Sequence, residues 1–274
     1  MKISIITINY NNDEGLRKTL ASVAAQTNRD IEHVIVDAAS ADGSVEVIKQ
    51  YADKAEYLVS WSSKKDRGVY NGMNIGIQRA TGDYILILNS GDLLASNDVI
   101  ERIMEELKKY GYPELLYGNA VDVYDGKRLS KHGPDIEYSL KTLYNSTYPH
   151  ISTFFKRELF SKERYGLYDE ELKIVSDWKW YLMAIGIGNV KPIYVDIDVA
   201  LFDVTGISST RKDLDKQERR KVLEEVLPPA ILKDFDNYAF PIAQYQRLKK
   251  HHLWGMTHFI ERVLFKLEKW HLIK

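Results

Sequence analysis

Four short apolar runs, each closing on a polar turn and each followed by helical spacing, fill the first 110 residues. Lys2–Ile8, Ile31–Asp37, Glu56–Ser60 and Asp83–Leu88 read as strands. The spacing predicts helices over Asp13–Gln26, Ser44–Tyr51, Val69–Ala80 and Val99–Tyr110. In the first of these, Leu16, Leu20 and Val23 share a face; in the third, Met73, Ile77 and Ala80 do. Strands alternating with helices predict an α/β fold with a mostly parallel central sheet covered on both faces. Ligands of such sheets bind beyond the carboxyl ends of the strands. The residues after each strand are therefore the ones that carry chemistry.

The second half is mixed. Leu115–Tyr124 and Ile193–Phe202 read as strands, Ile174–Ala184 as a helix, and Arg211–Val226 as a strongly charged helix stopped by Pro228-Pro229. That proline pair sets the expected boundary: a domain over 1–227, with a nucleotide-binding half to 110 and an acceptor half from 111, then a helical extension over 228–274. A formal net charge of −1 gives no global field to select nucleic acid. Without cysteine there are no disulfides, thiolate chemistry or cysteine zinc sites. The apolar run at the N-terminus is too short for a signal peptide, and no uninterrupted apolar stretch suits a membrane span. The expectation is a cytoplasmic protein.

Polar groups follow three of the four strands. Thr7 and Asn9 close the first, and Asp37 closes the second ahead of Ala38-Ala39-Ser40-Ala41-Asp42-Gly43. Asn89-Ser90-Gly91-Asp92 closes the fourth. A carboxylate at Asp37 can accept an N–H from a base, with Thr7 and Asn9 adding hydrogen bonds. Asp66 and Arg67 precede a helix start, where a diphosphate or ribose can sit. The turn at Asp92 suits a hard cation such as Mg²⁺ or Mn²⁺ bridging phosphates. Each residue singly also fits an ordinary turn or N-cap. Gly72 and Gly76 lie one helical turn apart and leave room for a close neighbour, either backbone or ligand.

Taken jointly, Thr7-Ile8-Asn9-Tyr10-Asn11, Val36-Asp37-Ala38-Ala39-Ser40, Asp66-Arg67-Gly68, Ala80-Thr81-Gly82-Asp83 and Leu88-Asn89-Ser90-Gly91-Asp92 resemble glycosyltransferase family 2 in order and spacing. The resemblance covers about residues 1–210. It implies an inverting enzyme with the glycosyltransferase A fold, taking a nucleoside-diphosphate sugar such as a UDP-sugar. The family's nucleotide pocket maps onto Thr7, Asn9, Asp37 and Asp66, and Asn89, Ser90 and Gly91 are expected to join them in binding the nucleotide-sugar. Its metal motif, usually Asp-x-Asp, maps onto Asn89-Ser90-Gly91-Asp92. Asn89 stands at the first acidic position, so Asp92 is the expected ligand of a Mg²⁺ or Mn²⁺ ion.

Gly166–Trp180 resembles the family's acceptor-side motif, which places the catalytic base on Asp177 with Trp178 and Trp180 beside it. His150, in His150-Ile151-Ser152-Thr153-Phe154-Phe155, is expected near the acceptor or diphosphate, and Val204–Ser209 near the donor as a closing loop. The implied reaction is hexosyl or N-acetylhexosaminyl transfer to a saccharide or lipid-linked acceptor in polysaccharide assembly. Met256, Ile260, Val263, Leu264, Leu267 and Trp270 form an apolar stripe in a basic tail. A membrane surface, a second copy of the chain or its own domain are the alternatives for what covers it. Two rivals stay open: a nucleotidyltransferase, and a non-catalytic nucleotide-sugar scaffold, which the substituted metal motif favours.

Overall fold

A computed structural model gives the fold and describes residues 1–124, 127–133, 136–203 and 211–238. The closing-loop segment Val204–Ser209 and the stripe from Met256 to Trp270 lie outside the described residues. The chain divides into two compact units, Met1–Val222 and Leu223–Lys274. The division falls inside a helix, a few residues before Pro228-Pro229. In the second unit the described residues are mostly helical, including a stretch over 229–238. Among the described residues no helix is long and apolar enough to cross a membrane.

The first unit is built on one nine-stranded sheet. Its first half runs β1 (Ile3–Asn9), α1 (Asp13–Ala24), β2 (Ile31–Asp37), α2 (Ser44–Lys54), β3 (Leu58–Ser63), α3 (Val69–Arg79) and β4 (Tyr84–Ile87). β5 (Leu93–Leu94), α4 (Val99–Lys109), β6 (Leu115–Tyr124), β7 (Lys127–His132) and α5 (Leu140–Asn145) follow. β8 (Thr153–Lys156), α6 (Ser176–Tyr181), β9 (Pro192–Asp203) and α7 (Lys212–Val226) complete the series. The sheet order is β3-β2-β1-β4-β8-β6-β9-β5, with β7 paired to β6.

Through β3-β2-β1-β4 every pairing is parallel, as the alternating pattern predicts. Ile3, Ile5 and Ile6 of β1 and Val34 and Ile35 of β2 are fully buried, because helices cover both faces. Beyond β4 the sheet is mixed. β8 runs antiparallel to both β4 and β6, while β6 and β9 are parallel. The parallel expectation thus describes the first four strands, and the chain's return through β8 adds the antiparallel seam.

Leu16, Leu20, Ile35, Val47 and Ile48 form one core cluster, which puts α1 and α2 on the face of Ile35 and its neighbour Thr7. Ile6 and Ile8 alternate to the opposite face, where α3 packs. A Cβ on Gly76 would lie 2.3 Å from Ile6 Cγ2, and one on Gly72 3.3 Å from Ile8 Cγ2. The two glycines therefore serve helix–sheet approach. The helix expected over Ile174–Ala184 is α-helical only to Tyr181; Leu182–Ile187 continues it as a π-helix.

Candidate functional site

Parallel register sets Asn9 beside Asp37, and Asp37 beside Ser63. Asp37 is fully buried, and its carboxylate is ringed by donors. Oδ1 accepts from Asn9 Nδ2 at 2.9 Å and Ser40 Oγ at 2.6 Å; Oδ2 accepts from Ser40 N at 3.0 Å and Ser63 Oγ at 2.5 Å. Burial alone would raise its pKa, but the bonds from Ser40, Ser63 and Asn9 outweigh it and hold the carboxyl below its ordinary value. Four donors fill the usual acceptor sites of a carboxylate. A ligand N–H reaches Asp37 only as a hydroxyl gives way. Asn9 Oδ1 is buried without a partner.

The two strand-end loops are stitched together. Asn11 N donates to Ser40 Oγ at 2.8 Å, Ala41 N to Asn11 Oδ1 at 2.8 Å, and Asp13 N to Asp42 Oδ2 at 3.0 Å. Asn11 and Ala39 take left-handed conformations, with φ of 46° and 56°. Tyr10, next to Asn11, is 67% exposed.

Thr7 does not sit on the rim. It is fully buried, and its hydroxyl donates to Leu88 O at 2.8 Å. The expectation that its side chain touches a nucleotide is corrected, since β1 alternation turns it under the sheet toward His33. Asp66 is half-buried and accepts from Gly68 N at 2.9 Å, closing the turn into α3. Gly68 has φ 121° and ψ −177°, a conformation essentially restricted to glycine.

The Asn89–Asp92 turn is held by Asn12, the N-cap of α1, and by Thr19 of α1, which no sequence motif singles out. Thr19, fully buried, accepts from Gly91 N at 2.9 Å and sits 2.8 Å from Asp92 O. Asn12 caps α1 and donates to Ser90 O at 3.1 Å. Gly91 has φ 107°, where a side chain is strained. Asp92 is 5% exposed, and Asn89 Oδ1 is buried with no partner. An amide oxygen in the same turn as a carboxylate is a donor set of the hard-oxygen kind that Mg²⁺ and Mn²⁺ favour, with phosphates and water completing the shell. Among the described residues no three His, Cys, Asp or Glu side chains group as a metal cluster.

Asp177, on the second residue of α6, faces this turn through His150. Asp177 Oδ2 lies 3.1 Å from His150 Nδ1, and Asn89 Nδ2 lies 3.4 Å from His150 Nε2. Asp177 Oδ1 accepts from the Tyr70 hydroxyl at 2.9 Å. Burial favours the neutral acid, yet the bond and charge of His150 and the bond of Tyr70 outweigh it and lower the Asp177 pKa. Burial pulls His150 down, but the Asp177 carboxylate, helped by the charge of Asp92, leaves it raised. Burial pushes Tyr70 well up, so its hydroxyl stays a donor.

Glu170 ties this side to α3. It accepts from Asn71 Nδ2 and Asn74 Nδ2, each at 3.0 Å, and pairs with Arg67. Asn74 also donates to Tyr168 O at 2.8 Å and accepts from Tyr168 N at 2.9 Å. Neither Asn74 nor Glu170 was expected; two buried asparagines three apart on an apolar helix were the available signal. Trp178 is corrected. It is 1% exposed, donates to Leu143 O at 2.6 Å and lies under Arg219 at 4.6 Å, so it offers no face to a sugar.

The family model for glycosyl transferase family 2 matches residues 4–165. An uncharacterised glycosyltransferase of Mycobacterium tuberculosis (strain CDC 1551) is 32% identical over 213 residues, 77% of this chain and 78% of that protein. A PGL/p-HBAD biosynthesis glycosyltransferase of Mycobacterium bovis is 27% identical over 79% of this chain and 82% of its own. Among solved structures, S. aureus TarS 1–349 in complex with UDP matches with TM-score 0.64 and 20% identity, over 84% of this chain and 68% of its own. The mannosyltransferase PcManGT of Pyrobaculum calidifontis, in complex with GDP-Man and Mn²⁺, matches with TM-score 0.61 and 18% identity, over 93% and 72%. The family model spans more than half of the chain. The chain therefore belongs to glycosyl transferase family 2 and has the glycosyltransferase A fold.

Proposed function

We propose that this glycosyltransferase moves a sugar, with inversion, from a UDP-sugar to a hydroxyl of a saccharide or lipid-linked acceptor. The single observation that carries the reading is the Asp177–His150–Asn89 line, which joins a candidate base to the turn beside the donor. Asp177 takes the proton of the acceptor hydroxyl. The acceptor oxygen forms the new bond at the anomeric carbon, and the bond to the diphosphate breaks, its electron pair leaving with UDP. A low pKa keeps Asp177 ionised and ready to accept.

Asp92, with Asn89 Oδ1, would hold the divalent cation, which when bound supplies Lewis-acid stabilisation to the departing diphosphate. Asp37 and Asn9 recognise the base, Asp66 lies by the ribose side, and Tyr10 offers an exposed aromatic face for stacking. Support for a nucleotide-sugar donor comes from solved structures of TarS with UDP-GlcNAc and of PcManGT with GDP-Man and Mn²⁺. The 1–227 domain and the basic extension after it keep separate roles in this reading, donor and acceptor handling against attachment to an anionic membrane surface. Retention of the protein on anionic vesicles, lost on truncation after Tyr245, tests the latter.

Calorimetric titration with UDP and with GDP, in Mn²⁺ and again in EDTA, tests the donor site. Binding of UDP that needs the metal supports the donor, the pocket and the cation. A preference for GDP changes the donor alone. Binding of neither by folded protein overturns the reading.

A further inference from the structure

α6 starts without a cap of its own: Val175 at the N-cap makes no side-chain capping bond. The amides leading into it are held from α7. Glu218, 9% exposed, accepts from Lys173 N at 2.8 Å and Ile174 N at 2.9 Å, and more loosely from Val175 N at 3.3 Å. A carboxylate is taken from water at a large penalty unless its oxygens are filled, and these are charge-assisted bonds to backbone. The Tyr70 hydroxyl of α3, which donates to Asp177, also lies 2.5 Å from Ile174 O.

Asp177 follows two residues after Val175, so its place is set by this grip. The next residue on α7, Arg219, lies over the Trp178 ring at 4.6 Å and is itself held by Asp215 at 3.0 Å. α7 therefore fixes both the entry to α6 and the residue that follows Asp177. The helix is otherwise strongly polar, with lysines, arginines and carboxylates along most of its length. A buried glutamate on such a helix, aimed at three amides of another segment, is not explained by solubility.

We infer that Glu218 is a positioning residue for the transfer reaction, holding the start of α6 so that the Asp177 carboxylate stays in line with His150 and the acceptor. The inference rests on the reading of Asp177 as the base. Small misplacements of a reacting group lower rates by about 10²-fold.

The test compares Glu218→Ala and Glu218→Gln in the wild-type and Asp177→Asn backgrounds. Two quantities are read: UDP affinity in Mg²⁺, and UDP release from UDP-glucose and UDP-N-acetylglucosamine with water as acceptor. Glu218→Ala is expected to lower the release rate about 10- to 100-fold with UDP affinity within about twofold. Glu218→Gln, which keeps one acceptor oxygen, recovers part of the rate. In the Asp177→Asn background Glu218→Ala adds no further loss.

Loss of UDP affinity in step with rate overturns the inference. So does an equal loss in the Asp177→Asn background, or a Glu218→Gln rate no higher than that of Glu218→Ala. If Glu218→Ala fails to fold, Glu218→Gln carries the same criteria. Normal release by Asp177→Asn alone removes the base reading, a result separate from an inert Glu218.

Discussion

His33 donates from Nε2 to the Thr7 hydroxyl across 2.9 Å, because the single proton of Thr7 is directed at the Leu88 carbonyl, 2.8 Å away. That leaves His33 Nδ1 to accept from Tyr51 at 2.6 Å, and Tyr51 to accept from Tyr57 at 2.6 Å. One buried chain of bonds therefore has one direction, from Tyr57 to the carbonyl that precedes Asn89.

Burial pushes the His33 pKa down to about 3. The folded value lies below the unfolded value of about 6.5, so the unfolded chain binds the proton first. Stability is expected to fall as pH drops from about 6.5 toward 3, by about 1.4 kcal/mol per unit. His33→Gln flattens that limb in urea midpoints measured across the range; an unchanged slope refutes the assignment.

The Asp177–His150 pair titrates in the opposite sense on the alkaline side. The Asp177 pKa is lowered, so its contribution is present above about 4 and lost as pH falls through its folded value. The His150 pKa is raised, so its contribution is complete below about 6.5 and lost as pH rises through its folded value. The stability difference between wild type and His150→Gln is expected to be largest between about pH 4 and 6.5 and to shrink above it. Urea midpoints at pH 5.5 and pH 9 check this.

Asp177→Asn is expected to leave UDP binding intact and lower transfer by about 10²- to 10⁴-fold. Asp92→Asn is expected to do the reverse in order of events, removing metal-dependent UDP binding while circular dichroism shows the fold retained. Calorimetry and UDP-release rates on the two variants separate these outcomes.

Tyr70→Phe removes a bond that lowers the Asp177 pKa. The acid limb of the rate profile is expected to move to higher pH, with a stability loss of about 1 kcal/mol. A profile that stays in place removes Tyr70 from the site.

Gly76→Ala puts a methyl group 2.3 Å from Ile6 Cγ2, and is expected to destabilise by about 1–3 kcal/mol. Combining it with Ile6→Ala relieves part of that clash, so a double-mutant cycle in urea gives a favourable coupling. Additive losses would show that the helix shifts instead.

The parallel half was legible because its strands are buried on both faces and its helices are amphipathic; the ends of β1, β2 and β4 fall within a residue or two of expectation. β7 was not legible, since all six of its residues are exposed and none marks a period. β8 is four residues long, too short for periodicity to tell it from a helical piece. At the site, Asp177 and His150 were singled out from motifs, and the structure places Asp177 against His150 and His150 near Asn89. Thr7 and Trp178 were misplaced because sequence shows that a residue is near a strand or helix end, not which way its side chain turns. Thr19, Glu170 and Glu218 act from other elements, and only the folded chain brings them in.

Gly76 gives Ile6 no slack, and that has a mechanical result. α3 and β1 are seated too closely to slide past one another, so they travel as one piece. Asn9, at the far end of the strand, and Asp66, just ahead of the helix, must then keep a fixed span. Their spacing is a property of the packed fold itself.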